Sequence, residues 1–224
     1  MKLSTIFFDV GGTLIFPDLE RLMAPLISRG VRPSEQELWV ADRAAKHIHT
    51  RQSDDAPGNR NHWYVYFSSL LEQVGHLDLL EQLSTRAGDS SYWTVAAPEA
   101  KATLEWLAER YRLAVISNAD GRIREVLDRV GMAGYFESII DSGVVGFEKP
   151  DRRIFEAALR AMKVSPNESL YIGDIYGIDY VGATGAGMKA VVIDFPGVYR
   201  GMEFPRVESH IELRAFVERL AAKE

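Results

Sequence analysis

The chain has no cysteine among its 224 residues. Disulfides, thiolate metal sites and a cysteine nucleophile are therefore excluded, and a reducing cytoplasm is the expected setting. No apolar run approaches the length of a membrane span. Long basic runs are missing as well, and the net charge is −6. Nucleic acid is then not expected as the main partner, because that affinity comes from clustered Lys and Arg. Met1-Lys2-Leu3 leads straight into an apolar segment, without the cationic and apolar regions of a secretory leader. A cytoplasmic protein handling a small molecule, with no membrane partner, is the expectation.

What the chain does have begins at Ile6-Phe7-Phe8-Asp9-Val10-Gly11-Gly12-Thr13-Leu14. An apolar run rich in β-formers suits a strand buried on both faces of a parallel sheet. It ends in a carboxylate and two glycines, which break the strand and let backbone approach a ligand closely. Asp9 would stand at the carboxyl end of a central strand, where open α/β sheets place their ligand crevices. There it is either a reactive group (nucleophile, base or metal ligand) or an ordinary turn residue.

From Pro17 to about Ala96 the apolar spacing is helical, and no strand of comparable quality is expected. Trp63, Tyr66, Phe67, Leu70 and Leu71 share one helix, and their spacing reads as the insertion's own core. The loop Asp54–Asn59 is the clearest break within it. After Pro98 helix and strand alternate, which argues for βαβ units and a parallel sheet. The expected architecture is α/β: a Rossmann-like parallel-sheet core of residues 1–16 and 97–224, interrupted by a helical cap at 17–96.

Three further apolar strands in the core end in polar residues. Ser117-Asn118 offers a hydroxyl and an amide suited to an oxyanion, or else to capping the next helix. Lys149-Pro150 puts a cation beside an expected helix start, with Pro150 at the first position, so an anion is expected nearby. Gly173-Asp174 is followed five residues later by Asp179. These two acids, joined by Asp9 across the sheet, would repel unless a cation lies between them. An all-oxygen ligand set selects a hard ion, and Mg²⁺ is the natural choice beside a phosphoryl group.

In this order the four strand ends resemble the motifs of the haloacid dehalogenase superfamily, and the insertion after the first resembles its helical cap. The resemblance implies a Mg²⁺-dependent phosphatase of a small phosphorylated metabolite. Asp9 would attack phosphorus and form an aspartyl-phosphate. Asp9, the Gly11 carbonyl and Asp174 would hold Mg²⁺, with Asp179 beside the metal or acting through its water. Ser117 would bind a phosphoryl oxygen, Lys149 would offset the repulsion between nucleophile and phosphate, and Thr13 and Asn118 would support them. Metal-free dehalogenation is the less suitable chemistry, because Asp174 adds a carboxylate which that reaction does not need.

One position departs from the pattern. Phosphatases of this superfamily carry a second aspartate two residues after the nucleophile, as general acid and base, and here that residue is Gly11. Such a group contributes about 10²–10⁴-fold, so good leaving groups, such as aryl or acyl phosphates, are expected to be favoured. Asp18, His47, His49 and His62 are the candidates to replace it. A small residue here also resembles the phosphonoacetaldehyde hydrolases, which break a C–P bond through a cap lysine. Lys46, the one lysine between Asp9 and Lys101, would take that part, although a lone lysine on a helix reads as solvated. A phosphate-binding module without turnover is the remaining alternative. Arg43, Arg51, Arg60, Trp39 and the loop Ser53–Asn61 are expected near the entrance.

Overall fold

The computed structural model describes residues 2–48 and 60–222. β1 (Thr5–Phe8) and β2 (Ile15–Pro17) lead into α1 (Leu19–Leu22), α2 (Ala24–Ile27), α3 (Glu35–Ile48), α4 (Arg60–Val74) and α5 (Leu80–Ala87). The chain returns through β3 (Trp93–Ala96), α6 (Ala100–Ala108), β4 (Arg112–Ser117), α7 (Ile123–Arg129), β5 (Ser138–Asp141) and α8 (Ser142–Val145). It ends with α9 (Arg152–Met162), β6 (Ser169–Gly173), α10 (Val181–Gly185), β7 (Lys189–Ile193), β8 (Arg206–Val207) and α11 (His210–Ala221). His49, Arg51 and the loop from Ser53 to Asn59 lie outside the described residues, as do the side chains of Arg60 and Asn61.

Six strands form a parallel sheet in the order β5-β4-β1-β6-β7-β8. All four residues of β1 are buried, and Phe8 lies opposite Val115 on one side and Ile172 on the other. Both faces are covered because the crossovers are helical. α9 illustrates the local logic. Asp151 caps it by accepting from the Arg153 N–H, and Ile154, Phe155, Ala158, Leu159 and Met162 recur at helical spacing. That stripe packs on Phe7, Ala114 and Tyr171, each large apolar side chain contributing roughly 1.5–3 kcal/mol. Leu104 and Leu107 of α6 and Leu213 and Val217 of α11 belong to the other layer, packed with Ile6 and Phe8.

Helices α1–α5 share a separate apolar cluster of Leu22, Leu26, Tyr66, Phe67, Leu70 and Leu83. It is fastened to the sheet layer by hydrogen bonds. The Trp39 indole donates to the Pro196 carbonyl at 3.0 Å, and Ser90 Oγ lies 2.7 Å from both Asp120 carboxylate oxygens. Among the described residues no helix is long and apolar enough to cross a membrane.

Two expectations are corrected. The stretch ending at Ala96 does contain a strand: β3 pairs antiparallel with β2, Ile15 opposite Ala96 and Phe16 opposite Val95. Its four residues are half-buried or exposed, so it carries none of the apolar signal of a core strand. The helix expected over Arg152–Met162 is α9 at those bounds, but Pro150, expected at its first position, lies before it, because the Asp151 carboxylate takes the cap.

Candidate active site

The ladder of β1 runs one residue past the strand, the Asp9 N–H donating to the Ile172 carbonyl at 2.8 Å. The chain then turns at once. The N–H groups of Leu14 and Ile15 both donate to the Val10 carbonyl, at 2.8 and 2.9 Å. Gly12 has φ +71, and a β-carbon on it would run into the Asp174 carboxylate. The first and fourth strand ends are therefore packed backbone against carboxylate, and only glycine fits between them.

Lys149 is the hub. Its side chain is 2 % exposed, and Nζ lies 2.9 Å from Asp9 Oδ1 and 2.7 Å from Asp179 Oδ1. It also donates to the Tyr171 hydroxyl at 2.8 Å. Asn118 fixes the backbone that carries it, accepting from the Lys149 N–H at 2.7 Å and donating to its carbonyl at 2.9 Å. Burial opposes the charge on Lys149, but Asp179 and Asp9 outweigh it and raise its pKa. The anion expected near Lys149 is thus a pair of carboxylates.

Asp9, Asp174 and Asp179 are all buried, and each offers a carboxylate oxygen within 4.8 Å of the others. Burial is the main reason that Asp9 is pushed up to about 6 and Asp174 to about 7, with Lys149 and Lys46 respectively pulling the other way. Buried carboxylates clustered this closely, all offering oxygen donors, fit a hard divalent cation. Asp179 is the exception within the group. Its Oδ2 accepts from the N–H groups of Asp174 and Ile175 at 3.0 and 2.9 Å, and its Oδ1 meets Lys149 and the Tyr171 hydroxyl. With both oxygens engaged, it suits positioning of Lys149 and of the Asp174 backbone better than direct ligation.

Lys46 overturns the reading of a solvated side chain. It projects from α3 into the site, 4 % exposed, with Nζ 3.2 Å from Asp174 Oδ2 and 3.7 Å from Asp42 Oδ2. Burial works to lower its pKa, but Asp42 and Asp174 prevail and hold it charged. Together these groups border a cavity of about 1530 Å³. Asp9, Gly11, Ser117, Asn118, Lys149 and Asp174 line it from the sheet side, and Trp39, Lys46, His62, Trp63, Tyr66 and Trp93 from the insertion and its return strand.

Thr13 is not among the lining residues. It is fully buried, its Oγ1 has no hydrogen-bond partner among the described residues, and its carbonyl meets His210 Nε2 at 2.9 Å. Of the groups expected to replace the second carboxylate, His62 borders the cavity. Asp18 caps α1 by accepting from the Arg21 N–H. The His47 ring faces Tyr199 at 6.0 Å and is not a lining residue, and Arg43 lies over the Trp39 ring. Sequence reasoning missed Tyr171 and Trp93. A phenol inside a strand buried on both faces needs a hydrogen-bond partner, and that signal was available for Tyr171. Trp93 gave none, since contact between the return strand and Gly11 has no local signature.

The family model for haloacid dehalogenase-like hydrolases matches residues 3–187. The haloacid dehalogenase-like hydrolase domain-containing protein 3 of Bos taurus is 33% identical over 177 residues, covering 72% of this chain and 70% of that protein. A glyceraldehyde 3-phosphate phosphatase of Methanothermobacter thermautotrophicus is 31% identical over 200 residues, covering 86% of each. Among solved structures, the HAD-hydrolase YfnB of Bacillus subtilis bound to magnesium superposes with a TM-score of 0.72 at 18% identity, over 97% of this chain and 99% of that one. That likeness concerns the fold. With the model running from the first strand past Asp179, and a relative matched over most of both lengths, the chain belongs to the haloacid dehalogenase-like hydrolases.

Proposed function

We propose that the chain is a Mg²⁺-dependent phosphatase of a small phosphorylated metabolite, with Asp9 as nucleophile. The observation that carries this is Lys149 Nζ held 2.9 Å from Asp9 at the floor of a cavity that Asp174 also lines. The relative named as a phosphatase, matched over 86% of both chains, supports the same reaction class. Residues 1–16 and 97–224 act as the catalytic core, and residues 17–96 as a cap that excludes water from the cavity.

The reaction has two displacements. An Asp9 oxygen attacks phosphorus in line, the bond from phosphorus to the leaving oxygen breaks, and that oxygen keeps the electron pair. Water then attacks the phosphorus of the aspartyl-phosphate, and the Asp9–phosphorus bond breaks to return the carboxylate and release phosphate. Lys149 restrains Asp9 and offsets charge on the phosphoryl oxygens, and Ser117 donates its hydroxyl to one of them. Asn118 and Asp179 act through Lys149 as positioning groups, and Thr13, set back from the cavity, supports the turn. Asp9, Asp174 and the Gly11 carbonyl would hold Mg²⁺, which supplies charge neutralisation at the transferring phosphoryl group.

A second reading has one observation in its favour, the arrival of Lys46 beside Asp174. C–P cleavage through an imine needs a neutral amine, and Asp42 and Asp174 hold Lys46 charged, so phosphate-ester hydrolysis is the better-supported reaction. The test is a metal-dependent screen of phosphate esters alongside Asp9→Asn. Turnover that requires both Mg²⁺ and Asp9 supports the proposal. Turnover indifferent to either, or binding with no turnover at all, refutes it. Borohydride capture of Lys46 with an aldehyde phosphonate would turn the assignment to C–P hydrolysis.

A further inference from the structure

Gly11 and Trp93 touch in a way that explains the missing carboxylate. A β-carbon on Gly11 would lie 2.9 Å from Trp93 Cζ3 and 3.1 Å from Cη2. Gly11 is not among the glycines with positive φ, so a left-handed backbone is not what demands glycine here, and the indole is the obstacle a side chain would meet. The indole has little freedom to move aside. Its Nε1–H donates to the Ala87 carbonyl at 2.9 Å, and its ring meets Trp63 edge-on at 5.5 Å. Trp63 in turn packs edge-on against Tyr66, whose ring belongs to the insertion's core.

We infer that Trp93 sets the substrate class, restricting it to phosphates whose leaving group departs without a proton: acyl, enol and aryl phosphates. The inference rests on the phosphatase reading above. Asp9 lies on the floor, so in-line displacement directs the leaving oxygen away from the sheet, toward the wall built by Trp93 and Trp63. An indole face offers no proton. It does offer a flat apolar surface to a planar, delocalised leaving group. The leaving oxygen departs as an anion with the electron pair of the broken bond; a carboxylate stays ionised, and a more basic enolate or phenolate is protonated by bulk water after release.

Two measurements separate this inference from the reading beneath it. The first is a thermal-stability cycle that needs no substrate. Gly11→Ala should lower the melting temperature by roughly 2–10 °C, the usual cost of overpacking for a chain of this size. In a Trp93→Ala background the same change should cost nothing, because alanine suits that backbone. Equal cost in both backgrounds, or none in either, overturns the part assigned to Trp93. The second is kcat/KM with Mg²⁺ across aryl phosphates of graded leaving-group acidity, plus an alkyl phosphate. The wild type should fall steeply as the leaving group becomes more basic. Gly11→Asp combined with Trp93→Ala should flatten the slope and raise alkyl phosphate turnover on the order of 10²-fold. Comparable wild-type rates on alkyl and aryl esters, with the slope steepened by His62→Asn, would make His62 the acid and sink the inference. No turnover of any phosphate defeats the phosphatase reading and the substrate class together, while the stability cycle still decides what keeps residue 11 small.

Discussion

On the sheet side of the cavity, Lys149 meets Asp9, Asp179 and the Tyr171 hydroxyl at 2.9, 2.7 and 2.8 Å, and Asn118 holds its backbone from both sides. On the insertion side, Trp93, Trp63 and Tyr66 meet edge to face. The floor is a network of charges in which each member has several partners. The wall is a set of apolar contacts fixed by shape. Phosphoryl transfer depends on placed charge, so under the proposed function the floor is where the chemistry falls. The indole faces of Trp93 and Trp63 offer no proton, so on the inference above they select among substrates by what those can do without. Changes to the floor should abolish function, and changes to the wall should redirect it.

The sharpest way to break that contrast is Lys149→Met. It leaves Asp9 and Asp179 buried without their shared cation, and loss of one partner from a buried pair costs about 3–5 kcal/mol. Denaturant unfolding should show a loss of that order together with loss of turnover. Arg at this position should not rescue, because a guanidinium fork does not fit a space built for a point charge. A stable, active Lys149→Met protein would show that the floor is not the network described.

A smaller effect concerns pH without metal. Asp9 and Asp174 titrate near 6 and 7 in the folded chain, raised from 3.8 mainly by burial. The folded state therefore binds more protons than the unfolded state between about pH 4 and 7, and stability falls as pH rises through that window. The slope is at most about 1.4 kcal/mol per pH unit for each proton. Thermal melts in chelator should drop from pH 5 to pH 8, and excess Mg²⁺ should reverse the drop at the upper end, since metal binding requires the ionised carboxylates. Metal-free stability that rises with pH would contradict this.

The smallest expected effect lies where wall and floor are joined. Trp39→Phe removes the indole hydrogen bond to the Pro196 carbonyl and should cost about 0.5–1.5 kcal/mol. Substrate KM should change more than kcat, as expected of a contact that holds the insertion over the cavity. An equal loss in kcat would place Trp39 nearer the chemistry than the geometry does.

The floor was largely legible in the sequence and the wall was not, for a physical reason. A strand buried on both faces that ends in Asp9, Ser117 or Gly173-Asp174 announces itself locally, because apolar runs and polar stops are adjacent in the chain. The same holds for α9, whose stripe from Ile154 to Met162 has helical spacing, and only Pro150 falls outside the helix, because Asp151 takes the cap. Lys46 could not be read, since the charges that hold it lie on Asp42 in its own helix and on Asp174 far along the chain. Thr13 carried a motif role yet sits behind the cavity, with its carbonyl turned to His210. The Trp93–Gly11 contact joins the return strand to the first turn across the whole insertion. β3 was missed for the same reason, since it pairs with β2, on the far side of that insertion.

The most direct measurement is rapid acid quench of an aryl phosphate during Mg²⁺-supported turnover, followed by peptide mass spectrometry. The expected result is one phosphoryl group on the peptide containing Asp9, absent in Asp9→Asn and in chelator, with turnover lost on the order of 10⁴-fold or more in that variant. Full turnover with no label on Asp9, or undiminished activity of Asp9→Asn, would contradict the assignment of Asp9 as nucleophile.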